Sequence, residues 1–283
     1  MKLASFEKNG VAGYGVVEND RLLDVSAVLG EKYRTLRAIM TAGALAEVGK
    51  AARSAPQRPI DEISFLPVIP DPSKIICIGI NYATHIAEAG RETPQYPMIF
   101  VRFSESQTGH RQPMIIPAES GKFDFEGELA VVIGRGGRRI PRERALDHVA
   151  GYACYNDGSV RDWQRHSTQF TAGKNFPGTG AFGPWLVTGD EIPDPSRLEL
   201  ETRLNGEVMQ RAPISDLVFD VPALIEYCST MTQLTPGDVI ITGTTGGVGA
   251  FRNPPLFMRD GDTVEVEITQ IGTLTNRVQA EKV

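Results

Sequence analysis

Two glutamates stand two residues apart in the run Phe123-Asp-Phe-Glu-Gly-Glu-Leu-Ala-Val-Val-Ile133. The odd positions Phe123, Phe125, Leu129, Val131 and Ile133 are apolar, whereas the even positions open with Asp124, Glu126 and Glu128. This period-two alternation predicts a β-strand with one buried face. Glu126 and Glu128 then project from the other face roughly 6.5 Å apart along the strand, near enough to share a hard cation and too close to ionise comfortably without one. An acidic strand face is ordinarily solvated. Here it turns apolar at Ala130 and Val132, which predicts protein cover, and buried carboxylates need a partner.

A third carboxylate follows in Gly151-Tyr-Ala-Cys-Tyr-Asn-Asp-Gly-Ser-Val-Arg-Asp-Trp-Gln164. An apolar strand ending at Asn156-Asp157, with Ser159 and Asp162 in a capping-box-like pattern behind it, puts Asp157 at a strand-to-helix corner. Glu126, Glu128 and Asp157 make an all-oxygen set suited to Mg²⁺ or Mn²⁺, with Ca²⁺ a third candidate. The lack of paired Cys/His spacing argues against zinc. Upstream, His85 and Glu88 in Asn81-Tyr-Ala-Thr-His-Ile-Ala-Glu-Ala-Gly90 are spaced to share one face of a short helix. There the carboxylate can hold the imidazole in one tautomer, which makes the two a candidate water-activating pair.

The positioning elements are mostly strands. Residues 1–69 form a small N-terminal domain, with short strands near Lys2–Phe6, Gly13–Glu18 and Leu22–Val25 and a helical stretch over Thr35–Ala52. A linker punctuated by Pro67, Pro70 and Pro72 leads to a larger domain, residues 70–283, starting with a strand at Lys74–Ile80. Asn205-Gly206 signals a hairpin, and an alternating strand spans Thr263–Ile268. Helices are expected at Arg142–Ala150, Val160–Gln169 and Pro222–Met231. Without regular βα alternation the fold class is mainly β or α+β, with peripheral helices.

The chain has 283 residues, 41% hydrophobic and 23% charged, with net charge −6 and no Lys/Arg-rich run, so a nucleic-acid footprint is absent. Cys77, Cys154 and Cys228 sit far apart in apolar stretches and read as buried thiols of a reducing compartment. No apolar run approaches a membrane span and Met-Lys-Leu-Ala-Ser-Phe-Glu has no signal core, so a cytoplasmic location is expected. The glycine-rich run Asp238–Gly249 fails as a dinucleotide fingerprint, since its spacing is wrong and Pro254-Pro255 discourages the required helix. It reads instead as a tight substrate-facing loop.

From about Lys74 onward the chain resembles the fumarylacetoacetate hydrolase family, whose metal motif reads Glu-x-Glu on a strand followed by Asn-Asp-x-Ser-x-Arg-Asp. The resemblance implies a mixed β-roll, usually dimeric, with Glu126, Glu128 and Asp157 as ligands of a divalent metal. It also implies that the segment from Asn81 is like the mobile lid of acylpyruvase members, with His85 as base and Glu88 as its orienter. Lys174 of Gly173-Lys174 and Gln164 match residues that hold substrate carbonyl oxygens, where a cation and an amide stabilise an oxyanion. Thr244 matches a threonine contacting a substrate carboxylate. Arg102 replaces a commoner lysine and is expected at the substrate. Thr245 stands where proline is commoner, and Ser104–His110 is also unusual.

These readings lead to a metal-dependent hydrolase cleaving an acylpyruvate-type β-diketo acid, a fumarylpyruvate- or maleylpyruvate-like ring-fission product, to pyruvate and a carboxylic acid. The alternatives are oxaloacetate-type decarboxylation or isomerisation of an unsaturated 2-oxo acid at the same metal site, and a non-catalytic binding protein with structural carboxylates. A small oxo acid is the expected partner, with no nucleic acid and no membrane.

Overall fold

The Glu126–Glu128 segment lies at the meeting of two sheets. In the computed structural model, which describes residues 1–282, Gly127–Ile133 is an inner strand of a 12-stranded sheet. It pairs antiparallel with Val149–Asp157 on one side and Val239–Thr244 on the other. Ile75–Gly79 joins beyond, parallel to Val239–Thr244, and Met98–Arg102 forms that edge. A separate five-stranded sheet contains the hairpin Glu199–Leu204 and Glu207–Pro213, joined at Asn205-Gly206, together with Thr263–Ile268, Gly272–Ala280 and Met114–Ile116. The mixed, sheet-dominated α+β architecture of the family is therefore present.

Both faces of Gly127–Ile133 are covered. Leu129, Val131 and Ile133 join a core with Leu200, Val266, Leu274 and Leu224 of the second sheet and helix Val221–Met231. Ala130 and Val132 face Ile75, Cys77, Ile241 and the N-terminal residues Leu36, Ile39 and Val48. Residues 1–69 extend the large sheet directly, since Lys2–Lys8 pairs antiparallel with Gly180–Thr188 through Lys2↔Val187 and Leu3↔Leu186. Glu126 and Glu128 are therefore buried, and both line the cavity described below.

Several elements differ from expectation. The strand expected over 123–133 breaks at Phe125-Glu126, because Phe123–Asp124 leaves to pair with Ser159–Val160 as a separate ribbon. Asn156 Oδ1 and Asp157 N hold the backbone N–H and C=O of Glu126 at the break. The helix expected over 160–169 is only Arg161–Gln164, and no capping box forms: Ser159 Oγ donates to Asp157 O, and Asp162 Oδ1 accepts from Ser120 Oγ. The helix over 35–52 is divided into Leu36–Thr41 and Leu45–Ala52, with Gly43 between them at φ +64°. Arg142–His148 is a 3₁₀ segment, whose poorer hydrogen bonds suit a short connector. All three cysteines are buried and free, and among the described residues no helix is long and apolar enough to cross a membrane.

Candidate metal centre

Glu126, Glu128 and Asp157 each offer a carboxylate oxygen, and these oxygens lie within 4.8 Å of one another with all three side chains buried. Two paired segments bring them together, with the Glu-Gly-Glu segment beside the end of Val149–Asp157 through Gly127↔Asn156. Gly127 is required by close approach, since a Cβ there would sit 2.0 Å from Thr202 Oγ1 on the second sheet. A larger residue would lever the two glutamates apart.

Buried cations surround the trio. Lys174 Nζ donates to Glu126 Oε2 and Asp157 Oδ2, both at 2.6 Å, and lies 5.0 Å from the Phe100 ring. Arg161 pairs with Asp124 Oδ2 at 2.8 Å and with Glu126 Oε1 at 2.6 Å. Arg102 pairs with Asp157 Oδ1 at 2.6 Å and also donates to Thr179 Oγ1 and Gly158 O. Burial works to raise the Glu126 carboxyl, but Lys174 and Arg161 outweigh it and hold the group well below its ordinary range. Likewise Asp157 and Glu126 overcome burial at Lys174 and keep its amine charged.

Glu128 is different. Its Oε2 accepts only the Gly243 N–H, at 2.5 Å, and no cationic side chain pairs with it among the described residues. Burial first, then the charges of Asp157 and Glu126, push its carboxyl well above the ordinary range. An uncompensated buried carboxylate beside two others, all oxygen donors, is the environment that a hard divalent cation satisfies. The residues therefore fit such an ion.

A cavity of about 190 Å³ opens onto Glu126 and Glu128, bounded by these with His85, Arg161, Gln164, Lys174 and Thr244, and with Phe100, Phe170 and Phe251 as apolar walls. At roughly 30 Å³ per water this is the room of about six waters, the scale of a small organic acid. His85 Nδ1 and Glu88 Oε1 are 2.8 Å apart, which leaves Nε2 as the ring nitrogen without a carboxylate partner. Glu88 Oε2 accepts the Gly247 N–H at 2.8 Å, so both oxygens of the orienting carboxylate are engaged.

Of the residues expected around the substrate, Lys174, Gln164 and Thr244 line this cavity with His85. Gly173 packs on Gln164, where a Cβ would meet the Gln164 backbone nitrogen at 2.4 Å. Thr244 Oγ1 is held between Gly127 O and the Gln210 amide, so its hydroxyl is already used within the fold. The expectation for Arg102 is corrected. Its side chain is wholly buried against Asp157 and does not line the cavity, so it fixes the position of the Asp157 carboxylate instead.

Two residues were missed. Asp124 accepts the Gly249 and Ala250 N–H groups and Arg161, tying the glycine-rich loop to the metal strand. Arg161 borders the cavity with a buried Nη2 that has no partner. Their signal was present: Asp124 is the first of the even-numbered acids, and Arg161 lies in the Asn-Asp-x-Ser-x-Arg-Asp run.

This combination of a two-sheet fold and a buried three-carboxylate centre under a His–Glu pair defines a class of metal-site enzyme. The family sequence model described as Fumarylacetoacetate (FAA) hydrolase C-terminal matches residues 74–279, and the chain belongs to that family. It is 42% identical over 229 residues to the mitochondrial oxaloacetate tautomerase FAHD2A of Bos taurus, covering 80% of this chain and 73% of the relative. It is 45% identical over 223 residues to the oxaloacetate tautomerase YisK of Bacillus subtilis (strain 168), covering 77% and 74%. In structure it is similar to maleylpyruvate hydrolase from Sphingobium sp. SYK-6 in complex with manganese (II) ion and pyruvate, with TM-score 0.83, 29% identity and full coverage of both chains.

Proposed function

We propose that this chain catalyses keto–enol tautomerisation of a 2-oxo dicarboxylic acid of the oxaloacetate type. The observation that carries the reading is 42–45% identity to two oxaloacetate tautomerases across about three quarters of their length. It displaces acylpyruvate hydrolysis as the leading reaction and takes up the isomerisation alternative. The cavity lining supports a dianion: its acids are only Glu126 and Glu128, whereas Arg91, Arg161, Arg165 and Lys174 all border it.

Tautomerisation breaks a C3–H bond and forms an O–H bond, so it needs a proton carrier and charge stabilisation but no attacking water. His85 takes the C3 proton on Nε2, while Glu88 holds Nδ1 and stabilises the imidazolium, and returns that proton to the C2 oxygen to complete the enol. Arg161 Nη2, buried and unpartnered, donates to a substrate carboxylate or enolate oxygen. The Gln164 carbonyl accepts from Arg161 Nη1 at 3.0 Å, which turns its amide hydrogens toward the substrate. A divalent ion held by Glu126, Glu128 and Asp157, Mg²⁺ or Mn²⁺, supplies Lewis-acid stabilisation of the developing enolate charge.

A second reading, hydrolysis of an acylpyruvate, is favoured by the full-length likeness to maleylpyruvate hydrolase, and the same His85–Glu88 pair would then activate water. Both readings place a homodimeric enzyme in a reducing compartment such as the cytoplasm. The test is metal-stripped protein assayed with oxaloacetate, maleylpyruvate, fumarylpyruvate and acetylpyruvate after Mg²⁺ or Mn²⁺ is restored. Fast loss of the oxaloacetate enol band without pyruvate release supports tautomerisation. Stoichiometric pyruvate from an acylpyruvate, with the enol untouched, overturns it.

A further inference from the structure

The glycine-rich loop and Thr245 are not explained by the chemistry above, and the hydrogen bonds around them form one continuous chain. Gln210 is 1% exposed and comes from strand Glu207–Pro213 of the second sheet. Its Oε1 accepts the N–H of Gly127, the residue between the two metal-site glutamates, at 3.0 Å. Its Nε2 donates to Thr244 Oγ1 and to Thr245 O, both at 2.8 Å. Thr245 Oγ1 in turn lies 3.1 Å from Thr84 Oγ1, at the start of the six-residue helix Ala83–Glu88 that carries His85. Thr84 Oγ1 accepts the Gly246 N–H at 3.2 Å, and Glu88 Oε2 accepts the Gly247 N–H at 2.8 Å. The loop is seated on the same strand as Gln210, since a Cβ on Gly247 would lie 2.3 Å from Met209 O.

We propose that Gln210 and Thr245 are positioning residues that clamp the His85 helix in register with the Glu126-Gly127-Glu128 segment. A helix of six residues cannot hold its own geometry in water. Its seat must come from tertiary bonds, and its polar anchors to the loop are Thr84 and Glu88. The Gln210 amide uses each of its polar atoms to tie the metal strand to the loop that receives those anchors. A proline at 245 would keep the carbonyl that Gln210 holds but lose the hydroxyl that meets Thr84, so the side chain found here adds a clasp to the helix.

The substrate assay rests on the function proposed above, but the primary readout needs no substrate. Amide hydrogen exchange of Gly246, Gly247 and residues 84–89 reports seating of the helix directly. In Thr245→Val, which removes only the hydroxyl, exchange at these amides is expected to rise about tenfold while Tm and Mn²⁺ affinity stay at the wild-type values. Thr84→Val, which also removes the acceptor of the Gly246 N–H, raises exchange at least as much, the double variant is no worse than Thr84→Val alone, and Thr245→Ser restores protection. Gln210→Met exposes the same amides. With oxaloacetate, Thr245→Val lowers kcat about tenfold at unchanged KM. Wild-type exchange in Thr245→Val, or additive effects in the double variant, overturns the clamp. A wild-type enzyme inert toward oxaloacetate overturns the substrate reading alone.

Discussion

The chain contains three Glu-x-Glu segments, Glu126-Gly-Glu128, Glu199-Leu-Glu201 and Glu265-Val-Glu267, and the first and the last make the contrast: only the first is buried with a third carboxylate beside it. Glu265-Val-Glu267 lies on Thr263–Ile268, where Arg203 bridges the pair at 3.1 Å and 2.7 Å and Glu201 and Arg211 extend the cluster. Its side chains are 27% and 45% exposed, against 6% for Glu126 and 0% for Asp157. Spacing and charge type are the same. The difference is the second layer of protein over one of them, which desolvates every charge and leaves Glu128 without a counter-ion. In the open cluster water does the compensating, so its pairs contribute little. In the closed one every carboxylate must find a cation, and the one that does not is the one available for chemistry.

The comparison breaks most sharply at Glu128. Glu128→Gln is expected to cost more than about 10³-fold in turnover and to abolish the rise in Tm that Mn²⁺ produces, while the metal-free protein becomes more stable because the cost of burying an acid with no cation beside it is gone. Glu265→Gln and Glu267→Gln should each leave turnover within about twofold. Titration calorimetry with Mn²⁺ and melting with and without the ion separate these outcomes. Next in size, His85→Gln is expected to lower kcat by about 10²- to 10⁴-fold with Mn²⁺ affinity unchanged. Retention of full turnover would remove His85 from the mechanism.

Stability gives the third contrast. Arg102→Met leaves Asp157 one cation short in a buried place and is expected to cost about 3–5 kcal/mol by urea unfolding. Arg203→Met, in the open cluster, should cost no more than about 1 kcal/mol. Equal costs would mean that burial is not what distinguishes the clusters.

The last contrast is set by pH. His110 is buried against Phe65, accepts the Thr275 N–H on Nδ1, and is pushed down by burial to about 4. Its folded value lies below the ordinary 6.5, so the unfolded chain binds the proton first. The contribution is fully present above about pH 6.5 and is lost as pH falls toward 4, amounting to about 3 kcal/mol across that window. His110→Gln should flatten this part of the stability profile. An unchanged wild-type-minus-variant difference between pH 7 and pH 4 would refute it.

The Glu126–Glu128 juxtaposition, the His85–Glu88 contact and the hairpin at Asn205-Gly206 were legible because each depends on local spacing: two along an extended segment, three along a helix, two in a turn. Cover over the acidic face was also legible, from Ala130 and Val132. The break at Glu126 was not, since it results from Phe123–Asp124 pairing with a segment 37 and 35 residues away in sequence, Phe123↔Val160 and Asp124↔Ser159. Arg102 was misjudged for a related reason. Its position at the end of a strand says nothing of which side of Asp157 its guanidinium reaches.

What the amino-acid order determined by itself was the inventory of donors and their spacing within single elements, because backbone periodicity sets which side chains share a face. The tertiary structure alone decided which Glu-x-Glu is dry and which arginine faces the cavity rather than the core. It also decided that Gln210, from a different sheet, holds both the metal strand and the loop that seats His85. Desolvation and hydrogen-bond closure depend on contacts between segments far apart in the chain, and no local pattern encodes them.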